Sequence, residues 1–325
     1  MRFPTRMTLA LVGVLSFCNG AYAAEMKRVG IAQFGLAPQL DQVVTSLKDE
    51  LRSEGFVEGK SIVYDYGQVN FDTSLVPQLL IKLSGASPDV MVTITTPVSQ
   101  VAKQVLAGSK IPIVFSAVTD PVAAKLVPSW TAGGPDMTGA SDLQDASLVL
   151  TFMHDLLPTA TRLGIPYNPG EDNDRAMLEQ FKQAAPKFGF TVVGVGIDNI
   201  SDIPVRVASF RDRADIIYVG GSNLIQPAMP AVSAAADSID VPIVNSDSAP
   251  VKEGLALASY AVDYVGVGLN TGKIVGRVLR GEQTSAIAPM VPAREQYGAV
   301  ISQKQLTRYH VTMPAKLANC GCVLP

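Results

Sequence analysis

The chain repeats itself at long range. Residues 28–31 read RVGI and residues 162–165 read RLGI; Gly-Phe follows at 55–56 and again at 189–190. Both pairs lie 134 positions apart. PDVMV (88–92) is echoed by ADIIY (214–218), and IPIVFS (111–116) by VPIVNS (241–246), at separations of 126 and 130. Four short matches in one order, at nearly constant offset, imply two structurally similar halves. The spacing is far beyond the roughly 20–50-residue period of a solenoid.

Within each half, apolar runs alternate with helical patterns. VGIAQF (29–34), SIVYDY (61–66), VMVTI (90–94) and IPIVF (111–115) read as strands. Between them Leu40, Val43, Val44, Leu47 and Leu51, then Val76, Leu79, Leu80 and Leu83, then Val98, Val101, Ala102 and Val105 recur at the period of a helix. In the second half LGIPY, TVVGVG, DIIYVG, VPIVN and LALASY are strands, and Met177, Phe181, Ala184 and Phe188 mark a helix. Such alternation predicts an α/β protein of two doubly wound parallel-sheet lobes, each sheet covered on both faces. Right-handed crossovers bring every C-terminal strand end to one edge, where open parallel sheets bind ligands. Two such edges facing each other make a cleft.

The 325 residues, 47% of them hydrophobic, suffice for two cores. A formal charge of -3 gives no basic footprint for nucleic acid. Residues 1–23 read as a secretory signal peptide: Arg2 and Arg6, the apolar run 7–17, then AYA before cleavage at Ala24. That run is short of the ~20 residues that span a bilayer. A rival reading anchors a lipoprotein at Cys18, although Phe17 stands where a small residue is wanted. Without the leader the chain has 24 basic and 29 acidic residues, a formal charge of -5. It is expected to be exported, periplasmic or otherwise extracytoplasmic, and monomeric.

Cys320 and Cys322 remain, in CGC near the C-terminus. Export permits a disulfide, but so close a pair closes a very small ring; a local clip or two free thiols are expected. With only His154 and His310 besides, the usual four zinc ligands are not at hand, and neither metal nor cofactor is expected. There is no GxSxG, HExxH or GxxxxGK[ST]. Acid–base chemistry would fall on carboxylates such as Asp120 and Asp247, which leaves a carboxylate-dependent enzyme as the rival class.

Several stretches together resemble the substrate-binding proteins of ABC transporters: GFVEGKSIVYDY (55–66), IPIVFSAVTDPVAAKLV (111–127), GGPDMTGASD (133–142), LGIPYNPGEDND (163–174) and residues 241–282. The likeness is to the branch with tryptophan- and phenylalanine-binding members, and covers roughly 28–310. FSAVTDPV and NSDSAPVKEG…YAVDY are its most specific parts, and Ala37 departs from a common histidine. The resemblance implies a type I periplasmic-binding-protein fold, with lobes joined by a three-segment hinge near 138–142, 261–262 and 288–292. The expected lobes are 24–140 plus 262–288, and 141–261 plus 289–325. It implies no enzyme activity, but capture of a small molecule, an amino acid with an aromatic one as the narrower expectation, and delivery to a membrane permease by hinge closure. A sensory receptor without transport is the alternative.

On that frame the candidate contacts divide by chemistry. Thr95, Thr96, Ser99, Ser116 and Thr119 cluster at two strand ends beside a helix start, where hydroxyls and free N–H groups suit a carboxylate. Thr96 is the expected cap, with Pro97 at the first helical position. Asp120 and Asp247 could pair with an ammonium or simply cap helices. Phe34, Tyr167 and Tyr260 fall near strand ends and could flank a planar side chain or belong to the core. Asn168, Ser222 and Asn223 are contacts or turn residues of the second lobe.

Overall fold

The computed structural model describes residues 26–325; the expected signal peptide and Cys18 lie outside the described residues. The first sheet is built from β1 (Lys27–Gln33), α1 (Pro38–Ser53), β2 (Ile62–Gln68), α2 (Val76–Ser84), β3 (Val90–Ile94), α3 (Thr96–Val105), β4 (Ile113–Ser116) and β5 (Met137–Gly139). Its strands run parallel in the order β2-β1-β3-β4-β5. Then follow α4 (Ala146–Leu156), β6 (Arg162–Tyr167), α5 (Asp172–Ala184), β7 (Thr191–Gly196), α6 (Ile203–Ala208), β8 (Ile216–Val219), α7 (Met229–Asp237), β9 (Ile243–Asn245), α8 (Ala249–Lys252) and β10 (Ala258–Val262). The chain ends with α9 (Tyr264–Leu279), β11 (Tyr297–Ser302), α10 (Gln303–Arg308) and β12 (Val323–Leu324).

The second sheet is ordered β12-β11-β10-β9-β8-β6-β7. Its run β7-β6-β8-β9-β10 reproduces β2-β1-β3-β4-β5 strand for strand, so the repeat in the sequence is a repeat in topology. β11 then adds antiparallel to β10, and β12 parallel to β11. In each half the chain leaves the first strand in opposite directions, which opens a crevice at the carboxyl ends of β1 and β3, and of β6 and β8.

Side chains alternate across each sheet, as the pleat requires. Val29, Ile31, Val90, Val92 and Val114 pack with α1 and α9, while Met91, Ile113 and Phe115 pack on the other face with α2 and α3. In the second sheet Leu163, Ile165, Ile216 and Tyr218 meet α4 and α5, and Ile217, Val219 and Ile243 meet α6 and α7. Four apolar layers thus sandwich two sheets.

The chain passes between the sheets three times: at 140–145, at the β10–α9 junction, and at 287–296. The first and third crossings run side by side. Ser141 N–H donates to the Met290 carbonyl at 2.8 Å, and Met290 N–H to that of Gly139 at 3.0 Å. The second crossing delivers α9 back to the first sheet, where it lies along α1. Contact there is backbone-close: a Cβ on Gly268 would sit 2.0 Å from Ser46 Oγ and 2.5 Å from the Val43 carbonyl oxygen. Thr271, on the same helix, shares a 2.6 Å hydrogen bond with Ser116 at the end of β4. Near the C-terminus Cys320 and Cys322 form a disulfide. The Cys322 carbonyl accepts from Ile301 N–H at 2.9 Å, which seats the tail on the edge of the second sheet.

Adding one methyl at Gly268 must push α9 off α1. Gly268→Ala is expected to lower stability by about 2 kcal/mol, read from the denaturant midpoint of the ligand-free protein.

Candidate functional site

The two crevices face each other across a small cavity of about 30 Å3. Six residues singled out from the sequence line it: Thr95, Thr96 and Thr119 from the first lobe, and Ser222, Asn223 and Asp247 from the second. Phe34 and Asn168 instead line a wider groove at its mouth. The remaining five do not line the cavity, and each has a partner elsewhere. Ser99 Oγ bonds Thr93 Oγ1 at 2.9 Å and the Thr95 carbonyl at 2.8 Å. Ser116 is bonded to Thr271. Asp120 Oδ1 accepts from Val122 and Ala123 N–H, both at 2.9 Å, and so caps the turn after β4. Tyr167 packs on the core beneath α4 and α5. Tyr260 stacks between Phe152 and Tyr297, at 5.2 and 5.8 Å.

The α3 start differs from the expected cap. The helix begins at Thr96, with Thr95 in the cap position and Pro97 at the second helical position. Thr95 N–H is held by the Ser116 carbonyl at 3.0 Å, and its φ is +87°. That backbone conformation is strained for any residue but glycine. It leaves the side chain unable to cap, and Thr95 Oγ1, buried, has no protein partner among the described residues. The first turn of α3 therefore presents free N–H groups and an unengaged hydroxyl. Ala117, at the end of β4, is also left-handed and lines the same cavity.

Opposite stand carboxylates. Asp142, in the first crossing, accepts from Thr119 Oγ1 at 3.0 Å and from Tyr264 Oη at 3.2 Å. Asp247 Oδ1 accepts from Ala249 N–H at 3.1 Å. Neither forms a salt bridge among the described residues. Burial raises the pKa of both above the ordinary carboxylate range, hydrogen bonds only partly opposing it. One shell further out, Glu171 gathers the second-lobe loops. Its carboxylate accepts from Asn223 N–H at 3.0 Å, Asn223 Nδ2 at 2.7 Å, Leu224 N–H at 3.1 Å and Asn168 Nδ2 at 3.0 Å. Asp174 accepts from Asn168 N–H at 2.6 Å and is pushed up to about 8, first by burial and then by the charge of Glu171. The acidic start of α5 thus does more than face the helix dipole.

The apolar wall is Phe71, with Leu40 and Pro227. Asn70 and Phe71 are both left-handed, with φ of +48° and +63°. Phe71 N–H donates to the Phe34 carbonyl at 2.8 Å, and its ring meets that of Phe34 edge-on at 5.5 Å. Gly35 makes room for it, since a Cβ there would lie 2.4 Å from the Phe71 ring. At the rim, Gln100 Nε2 of α3 donates across the cleft to Asp172 Oδ2 of α5 at 2.5 Å. Sequence reasoning passed over Phe71, Asp142, Asn173, Gln226 and Tyr264, which also line the cavity.

Two like lobes that meet over a polar cavity, joined by three crossings, define a two-lobed ligand-binding protein. The chain belongs to the family of ABC transporter substrate-binding proteins, whose pattern it matches over residues 28–321. A tyrosine-binding protein of Clostridioides difficile is 31% identical over 263 residues, spanning 81% of this chain and 75% of that protein. The structure of an ABC domain from Streptococcus pneumonia in complex with L-Trp is similar with a TM-score of 0.86 at 29% identity, over 92% of this chain and all of that one. A ligand-free, open substrate-binding protein with adhesive properties from Clostridium difficile is similar with a TM-score of 0.72 at 28% identity, over 92% of this chain and 99% of that one. The family consists of solute-binding proteins and not of enzymes. No helix among the described residues is long and apolar enough to cross a membrane.

Two outcomes follow from this geometry. Thr95→Gly relieves the backbone strain, and is expected to raise the stability of the ligand-free protein by about 1 kcal/mol, read from its denaturant unfolding curve. Asp174 keeps its proton to higher pH folded than unfolded. The folded state therefore binds more protons between about pH 4 and pH 8, and its stability falls as pH rises through that interval. Thermal unfolding measured against pH should show this decline, and Asp174→Asn should flatten it.

Proposed function

We propose that the chain is the exported solute receptor of an ABC importer and binds a free amino acid with an aromatic side chain. One observation carries the reading: the uncapped start of α3, with the unengaged Thr95 hydroxyl, shares a cavity with two carboxylates, Asp142 and Asp247, that form no salt bridge among the described residues. A zwitterion completes both halves. Its carboxylate goes to the N–H groups of α3 with Thr95 and Thr96, and its ammonium to Asp247 with Asp142. A planar side chain then lies against Phe71, Leu40 and Pro227, and offset contact with the Phe71 ring adds roughly 0.5–1.5 kcal/mol. The relatives named for tyrosine and tryptophan support this chemistry.

In this reading the lobes are 24–140 plus 262–288 and 141–261 plus 289–325, and the three crossings are the hinge. The mechanism is binding and closure, with no covalent step. Closure brings the second-lobe carboxylate onto a ligand already held by the first lobe, and the closed form docks on a membrane permease. Greater similarity to the tryptophan-bound structure than to the open one, and the Gln100–Asp172 bond across the rim, are consistent with lobes standing close together.

Thermal unfolding against single amino acids tests this. A ligand at a hundredfold its Kd adds about 2.7 kcal/mol. Tryptophan, tyrosine or phenylalanine is expected to protect; tryptamine, lacking the carboxylate, and indole-3-propionate, lacking the ammonium, are not. Asp247→Asn should weaken binding at least tenfold. Protection by small or branched amino acids alone would discard the aromatic wall, and protection by none would overturn the reading.

A further inference from the structure

Beside the cavity, with Asp142 in the shared wall, lies a second compartment of about 10 Å3, room for a single small polar group. Thr119, Asp142, Asn173, Gly221 and Tyr264 line both spaces, so the two are neighbours. Three side-chain atoms in the compartment's wall are buried and have no partner among the described residues: Gln144 Oε1, Asn173 Oδ1 and Tyr218 Oη. These residues are only 7%, 4% and 0% exposed. A buried polar atom without a partner is costly, which makes three around one space a demand for something to bond.

The inventory says what that something is. Asn173 Nδ2 is already committed to Glu171, Asp174 and the Gly221 carbonyl, which fixes the amide and leaves its oxygen as the free atom. The hydroxyls of Thr119 and Tyr264 are spent on Asp142. Tyr218 is held by stacking on Phe181 at 4.5 Å. Asp142 and Asp174 add carboxyl oxygens, and no basic side chain lines the space. The unpartnered Gln144 and Asn173 atoms are acceptors, and the Tyr218 hydroxyl can accept as well as donate.

We infer that this compartment is a specificity subsite for a hydrogen-bond donor on the ligand's side chain, an O–H or N–H group received by Gln144, Asn173 and Tyr218. The inference rests on the amino-acid reading above and narrows it to aromatic side chains that carry a donor, a phenol or an indole. The α-amino and α-carboxyl groups stay with Asp247 and α3.

Calorimetric titration of the mature protein with matched pairs tests it: tyrosine against phenylalanine, and tryptophan against 3-benzothienylalanine. The donor-bearing member of at least one pair is expected to bind tenfold or more tightly, and the pair that shows it names the donor. Tyr218→Phe and Gln144→Leu should each cut that preference severalfold. Because the Tyr218 hydroxyl has no protein partner, Tyr218→Phe should unfold no earlier than the parent without ligand. Equal binding within every pair, with amino acids still bound, overturns the subsite and leaves the amino-acid reading standing. A preference unchanged in both variants, or a lowered unfolding midpoint in Tyr218→Phe, also overturns the subsite. Failure of every amino acid to bind overturns the reading beneath it.

Discussion

The packing of α9 on α1 holds the architecture together. Helix α9 follows the last parallel strand of the second sheet, yet its glycine face lies on a helix of the first. A chain that leaves one lobe, enters the other and is pulled back must cross twice, and the return to β11 makes the third crossing. The close approach at Gly268 and the Ser116–Thr271 bond decide which lobe owns α9. That ownership also places Tyr264, the first residue of the helix, against Asp142 in the neighbouring crossing. The joints between the lobes and the floor of the cleft are therefore the same residues.

The fold is stabilised far from the cleft and stressed within it. Four apolar layers supply burial. Around the cavity Asn70, Phe71, Thr95 and Ala117 have left-handed backbones, and the Asp142 carboxylate is buried with hydroxyl partners and no salt bridge among the described residues. Strain of about 1–3 kcal/mol per residue persists only where neighbours over-determine the conformation, as Gly35 and Phe34 do for Phe71. Such walls are rigid before a ligand arrives, so little ordering is left to pay for on binding.

The sequence made the fold legible because the information was redundant. Period-2 and period-3.6 patterns alternate, and the second half says the same thing again; VMVTI and TVVGVG coincide with β3 and β7 residue for residue. The cavity was legible where polar residues stand within four positions of a strand end, as Thr95, Thr96, Thr119, Ser222, Asn223 and Asp247 do. Phe71 lies three residues beyond β2, turned inward by two left-handed residues that have no glycine to announce them. Asp142 sits in a crossing, where nothing local separates a site carboxylate from a turn residue. Conversely Asp120, with the composition of a site residue, is a cap, and Tyr260 is core. Strand-end position selects candidates; only three-dimensional partners separate those already satisfied from those still free.

The Gln100–Asp172 bond across the rim has a consequence for the empty receptor. It joins the lobes without touching the cavity, so it favours the closed arrangement equally whether or not a ligand is inside. Any such contact raises the fraction of empty molecules that look full, and a ligand can shift the balance only by its own differential affinity for the two arrangements. In the importer reading proposed above, a partner that recognises the closed shape would then be occupied by empty molecules. One part-buried hydrogen bond is a modest bias; a rim stitched by many would make the signal of occupancy meaningless. Read this way, the sparseness of bonds across the cleft is what lets shape report content.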